Sequence, residues 1–148
     1  MNRADLQPLA ALHLKHAEVL LNAQLFAGAY YISGYAVECA LKAAVAKLFR
    51  FTADFDLPPQ EKPGQGKGGG LNLYSHDLAF LVRVAGLSLD WSAAMESDQD
   101  LSENWNVVKS WTPETRYQLA RSREEAQQYY SAIADSDHGV FQCIEKFW

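Results

Sequence analysis

The residue that most invites a chemical explanation is Glu38, a carboxylate inside residues 30–49, a stretch that is otherwise apolar on almost every face of a helix. Lys42 follows four residues later, one turn away on the same face, in the favourable order of acid before base. An unpaired carboxylate among apolar side chains is costly, whereas a paired one is tolerated. The pair is therefore either a structural ion pair that anchors its helix or, with Tyr31 and Tyr35 nearby, the wall of a cleft in which Lys42 meets an anion.

A second candidate site is Arg116 with Tyr117, in the most basic part of the chain. Residues 109–123 contain four bases and a single acid. Arginine suits bidentate recognition of phosphate, and tyrosine can stack on a base. Because a cation and an aromatic ring coincide here, these two residues are the best site candidates. The alternative is that both side chains are simply solvated.

A third candidate is His76, which lies in the Ser-His-Asp sequence that opens a predicted helix. Ser75 is a favourable N-cap, and Asp77 suits the positive end of the helix dipole. Helix N-termini also bind phosphate, so His76 is a candidate ligand-binding residue, although Asp77 would oppose an anion there. Capping and ligand binding both stay open.

Two further patterns are weaker. His13 and His16 are three residues apart, a spacing that suits a metal, but no third ligand is near, and we expect a solvated pair and no metal site. The run GQGKGGG resembles a phosphate-binding loop, but no Ser or Thr follows Lys67 and no strand precedes it. We therefore expect a flexible loop there, and no cofactor.

The elements that must position these residues are helical almost throughout. Helices are predicted over about 6–24, 26–49, 75–86, 91–95, 101–111 and 122–147. Glycine and proline are dense in residues 50–74 and predict a flexible loop. Ser122 and Glu125 form a capping box at the start of the last helix, and Asp137 with Gly139 indicates a bend in it. The fold prediction is all-α, an up-and-down bundle of about five helices with a long Gly/Pro-rich loop between helices two and three.

Composition sets the class of protein. The 148 residues are 49% hydrophobic and 21% charged, which predicts one globular domain over residues 1–148. The net charge of −5 argues against a general nucleic-acid coat protein but leaves room for a local basic site. No uncharged apolar run is long enough for a membrane span, and no signal-peptide layout is present. Cys39 and Cys143 are expected to be reduced and packed, in a cytoplasmic protein.

Four segments occur in an order that is typical of one family. They are LLNAQLFAGAYYISGYAVECALKA, YSHDLAFLV, the RY of TPETRYQ, and SREEAQQYYSAIADSDHGVFQCI. In these segments the chain resembles the HEPN domain (higher eukaryotes and prokaryotes nucleotide-binding). The resemblance implies a helical bundle, often dimeric, that serves as an RNA-cleaving toxin or defence nuclease, as the partner of a minimal nucleotidyltransferase, or as a binding module without catalysis.

The nuclease members of that family carry an arginine followed, after four to six residues, by a histidine. In this sequence no histidine stands five to seven positions after any arginine. We therefore expect a non-catalytic HEPN-like homodimer that binds a nucleotide-type ligand, RNA or a partner such as a minimal nucleotidyltransferase. A toxin–antitoxin or defence system is one setting that fits this expectation. The alternatives are an RNA-cleaving toxin with a non-standard site and a plain helical dimerisation module.

Overall fold

The computed structural model describes residues 2–48 and 75–148, and in these ranges the chain forms α-helices and no β-strand. The helices are α1 (Arg3–Asn22), α2 (Phe26–Leu48), α3 (Leu78–Val84), α4 (Ser88–Ser97), α5 (Gln99–Val108), α6 (Arg123–Ala134) and α7 (Val140–Glu145), with a 3-10 turn at Pro113–Tyr117 between α5 and α6. The all-α prediction is confirmed. The predicted flexible loop over about 50–74 lies outside the described residues.

Helices α1 and α2 form a hairpin that makes the most extensive helix–helix contact in the described part of the chain. α1 begins with a capping box in which the Asn2 side chain accepts from the Asp5 backbone and the Asp5 side chain accepts from the Asn2 backbone. The turn between the helices contains Gln24 at a φ of 62°. This left-handed conformation lets the chain reverse within three residues.

Helix α2 is the centre of the fold. The 3-10 turn and the helices α1, α3, α6 and α7 all contact it. Its buried residues are mainly small, which allows neighbouring backbones to approach closely; they include Ala29, Gly34, Ala36, Ala40, Ala43, Ala44 and Ala46. A helix buried on nearly all sides explains the apolar sequence of this stretch.

The start of α3 differs in detail from the prediction. The N-cap is Asp77, whose carboxylate accepts from the backbone N–H of Phe80 at 2.9 Å, while the Ser75 hydroxyl accepts from the N–H of Asp77 at 3.1 Å. These bonds hold the chain extended at the helix start and leave His76 just outside α3. As predicted, the helix ends before Gly86, which has a φ of 72°.

The predicted final helix is broken into α6 and α7, so that the described residues contain seven helices against the predicted number of about five. The Asp135 carboxylate accepts from the N–H groups of Asp137 and His138, forming a turn that stops α6. A Cβ at Gly139 would lie 2.3 Å from the Asp135 carbonyl oxygen, so only glycine fits there. The imidazole of His138 bonds Asp98 at 2.8 Å, which raises the pKa of His138 and ties the break to the α4–α5 corner.

Within the described ranges, no single helix has both the length and the hydropathy needed to cross a membrane; α3 and α4, bent by 118°, meet that test only as a pair.

The packing of Trp111 on α2 fixes the position of the segment before the 3-10 turn. Its indole is 2% exposed and lies against α2 at Gly34, where a Cβ would come within 2.1 Å of the ring. Because that distance is far below van der Waals contact, the glycine provides the space that the indole occupies. The position of Trp111 in turn sets the start of the 3-10 turn at Pro113.

We expect Gly34→Ala to lower the free energy of unfolding by about 1–3 kcal/mol, because the new methyl group displaces the indole. Gly28→Ala is the matched control on the same helix, since its Cβ would meet only Leu20, at 3.5 Å. Alanine has the higher helix propensity, so this control should be neutral or stabilising by about 0.5 kcal/mol. Chemical denaturation of both variants measures the difference in stability. Equal stability of the two variants would contradict the close packing of the Trp111 indole on Gly34.

Candidate functional site

Glu38 joins two elements through a buried carboxylate that is 3% exposed. The Lys42 ammonium donates to Oε1 at 2.5 Å, so the predicted ion pair is present. The other oxygen, Oε2, lies 2.8 Å from Nδ1 of His76, which precedes α3. We call Glu38, Lys42 and His76 the Glu38 triad. The sequence separation of 38 residues hides the His76 contact from any local pattern.

Aromatic rings pack beside the triad on the same face of α2. The rings of Tyr31 and Tyr35 are 5.0 Å apart and nearly perpendicular, and their hydroxyls are 3.4 Å apart. Trp111 lies 5.0 Å from Tyr35, again edge to face, and the His76 ring lies 6.3 Å from Tyr35 on another side. Burial and the Tyr31 hydroxyl raise the pKa of Tyr35 to about 12, so its phenol stays neutral at physiological pH.

The 3-10 turn brings charge to the edge of this aromatic group. The guanidinium of Arg116 donates to the Tyr117 hydroxyl at 3.0 Å and lies 4.6 Å from the centre of the Tyr117 ring. The hydroxyl of Tyr117 and, to a smaller extent, that of Tyr31 raise the pKa of Arg116, and the 3-10 turn that carries the arginine packs on α2. The Thr112 hydroxyl, with a smaller contribution from Arg116 and His76, lowers the pKa of Glu114.

The structure thus brings the seven residues that the sequence singled out into one region, contributed by α2, the start of α3 and the 3-10 turn. We call the following nine residues the candidate site: Tyr31, Tyr35, Glu38, Lys42, His76, Trp111, Glu114, Arg116 and Tyr117. Two of them, Trp111 and Glu114, were not singled out as site residues by the sequence. The alternation of acid, base and aromatic residues in WTPETRY is the signal that would have pointed to both.

His13 is a neighbour of the site and is half-buried rather than solvated as predicted. Its ring lies 6.3 Å from Tyr35 and 6.3 Å from His16. Burial, and then the nearby His16, lower the pKa of His13, while Glu38 acts in the opposite direction. His13 therefore stays neutral at physiological pH.

The cysteines and one surface concavity lie outside the candidate site. Among residues 2–48 and 75–148, no group of three or more His, Cys, Asp or Glu side chains is arranged to hold a metal ion. Cys39 and Cys143 are free and buried, and burial raises the pKa of both thiols. A surface concavity near the α1–α2 turn shares no residue with the candidate site; it is lined by Leu21, Asn22, Gln24, Phe26, Arg123 and Gln127.

We expect Lys42→Met to destabilise the protein by about 3 kcal/mol, because it leaves the Glu38 charge buried with only His76 as a partner. The double variant Glu38→Gln, Lys42→Met removes both charges and should recover most of that loss. Lys47→Met is the control, an exposed lysine on the same helix whose loss should change stability by less than about 0.5 kcal/mol. Urea denaturation of the four proteins tests this; a double variant no more stable than Lys42→Met would show that the ion pair is not the source of the effect.

Comparison of the chain with protein-family models, with curated proteins and with solved structures finds no match. The likeness to the HEPN domain therefore rests on the four sequence segments and stays a prediction.

Proposed function

We propose that the candidate site binds a nucleotide-type ligand, with the phosphate at Arg116 and the base on Tyr117. One observation carries this proposal: residues from three separate elements meet around Tyr35 of α2. Its ring contacts that of His76, which is bonded to the buried Glu38, and it lies close enough to the exposed Arg116 for that charge to affect its pKa. A buried ion pair such as Glu38–Lys42 contributes little net stability compared with apolar packing. Its presence is better explained by the histidine that it orients.

The phosphate half of the site is Arg116. Its guanidinium is exposed and its hydrogen-bond partner among the described residues is the Tyr117 hydroxyl, so no described carboxylate lies in direct contact with its charge. Glu114 and Asp77 add negative charge to the surrounding surface. A single arginine against two carboxylates suits a phosphate of one or two charges better than a triphosphate.

The base half of the site is Tyr117, whose side chain belongs to the large hydrophobic residues that stay exposed, at 73%. The Arg116 guanidinium covers part of the ring and restrains its orientation. An exposed, oriented ring is a stacking platform that accepts any base. We therefore expect affinity for mononucleotides and short single strands with little base preference.

The proposal also includes binding of a partner protein. Leu119 is fully exposed two residues after Tyr117, in a segment without helix or strand between the 3-10 turn and α6. If the protein is a homodimer or pairs with a minimal nucleotidyltransferase, this segment would carry an apolar contact next to the candidate site. A protein that shows no response to nucleotides would direct the search to such a partner.

We expect thermal unfolding of the pure protein to shift upward with AMP or a short RNA, more than with ATP or GTP. A ligand at 100-fold over its Kd adds about 2.7 kcal/mol, which for this chain length corresponds to roughly 5–10 °C. Arg116→Gln should abolish the shift while leaving the Tm of the free protein unchanged, because the side chain is exposed.

Arg123→Gln is the matched control, since Arg123 is also exposed and also lies over an aromatic ring, that of Phe26 at 5.6 Å. It should keep the full shift. Equal shifts for the wild type and Arg116→Gln would place the ligand elsewhere, and no shift with any nucleotide would remove the nucleotide half of the proposal.

A second candidate function is RNA cleavage, favoured by the bond between His76 Nδ1 and the Glu38 carboxylate. In catalytic dyads a carboxylate orients imidazole in this way, so that Nε2 can take a proton from a hydroxyl. With Arg116 at the phosphate, the 2′-OH of RNA is the hydroxyl that such a site would activate.

This function predicts breakdown of a labelled RNA by the pure protein and growth arrest on expression, both lost in His76→Gln and in Arg116→Gln. The matched DNA oligonucleotide must stay intact, because it lacks the 2′-OH. RNA that survives with the wild-type protein, or cleavage that persists in His76→Gln, would rule out His76 as the base.

A further inference from the structure

The Glu38 triad fixes which nitrogen of His76 carries its proton. A carboxylate only accepts hydrogen bonds, so the 2.8 Å contact with Glu38 Oε2 assigns the N–H to Nδ1. No described side chain bonds Nε2 of this ring. In the neutral ring Nε2 therefore presents a lone pair, and only in the protonated ring does it present an N–H.

The net charge of the triad allows His76 to be either neutral or protonated at Nε2. The Lys42 ammonium already neutralises Glu38 at 2.5 Å, so the triad with a neutral His76 has no net charge. Protonation of the ring would bring the triad to +1. The ring can change its charge at modest cost because its side chain is 45% exposed, while the carboxylate of Glu38 is buried.

Two ionisable groups near the ring, Tyr35 and His13, do not supply a charge near neutral pH. Tyr35, with a pKa of about 12, and His13, with a pKa lowered by burial, are neutral there. The ionisable groups near the ring come from four elements. Helix α2 contributes Tyr35, Glu38 and Lys42, and α1 contributes His13, which contacts Tyr35. The 3-10 turn contributes Glu114 and Arg116, and Asp77 is the next residue in the chain. Glu114 and Arg116 carry opposite charges, and of the two carboxylates nearest the ring, Glu38 is already paired with Lys42 while Asp77 caps α3.

We propose that anion binding at the candidate site is coupled to the uptake of one proton at Nε2 of His76, an inference that rests on the proposed function. The oxygens of a phosphate only accept hydrogen bonds, and the lone pair of a neutral Nε2 repels them. The protonated ring instead donates a charge-assisted bond. Arg116 carries a permanent charge, whereas His76 carries one only when its ring is protonated. Because binding takes up a proton, the affinity for phosphate falls as the pH rises.

The test uses the dinucleotide ApA, whose single phosphodiester keeps one negative charge between pH 6 and 8.5, so that any pH dependence belongs to the protein. Calorimetric titration of the wild type should give a Kd that weakens as the pH rises, by no more than about tenfold per pH unit, which is the limit for one linked proton. Repeating the titration at pH 8 in buffers of different ionisation enthalpy should show net proton uptake on binding, of no more than one proton per site.

His76→Gln should bind ApA with a weaker and pH-independent Kd and no proton uptake, whereas the control His138→Gln, at the α6–α7 break, should keep both. A wild-type Kd that is the same at pH 6 and pH 8, or linkage that survives in His76→Gln, overturns the coupling and leaves the proposed function standing. No binding at any pH overturns both. The proton count on the wild type decides the question even if His76→Gln does not fold.

Discussion

The arrangement of this protein depends on one constraint, the burial of the Glu38 carboxylate in the central helix. A carboxylate that is 3% exposed is tolerated only if both oxygens are engaged. Lys42 reaches one oxygen from the next turn of α2, so this contact forms within one helix and requires no packing between separate elements. Among residues 2–48 and 75–148 the second oxygen is reached only by His76, so α3 begins where this histidine meets α2. The carboxylate therefore sets the position of the segment that precedes α3.

A second contact brings the 3-10 turn to the same face. Trp111 sits on α2 where Gly34 leaves room for the indole, and it packs edge to face on Tyr35. Because Trp111 is followed directly by the 3-10 turn, its position brings Arg116 close to Tyr31. The site is thus assembled on α2 from two sides: a charged contact that places His76 and an apolar one that places Arg116.

The local features of this fold could be predicted from the sequence. The Glu38–Lys42 pair follows from helical spacing, the start of α6 from the capping box of Ser122 and Glu125, and the end of α3 from Gly86. The contacts between distant segments could not, because no spacing rule relates residue 38 to residue 76. The break between α6 and α7 was predicted only as a bend, since the turn at Asp135 also depends on the Asp98–His138 bond, 40 residues apart.

Of the two proposed functions, binding agrees better than cleavage with the groups around His76, because cleavage needs an acid as well as a base. An imidazole held by a carboxylate can accept a proton from a hydroxyl, but the leaving oxygen must then receive one from another group. Among the described neighbours, Tyr35 has a pKa of about 12 and Glu114 has a lowered pKa, so neither is a good donor at neutral pH. The Lys42 ammonium is committed to Glu38, and the guanidinium of Arg116 does not release its proton. A site with an oriented imidazole, a permanent cation and no poised acid is better suited to hold a phosphate than to break its ester bond.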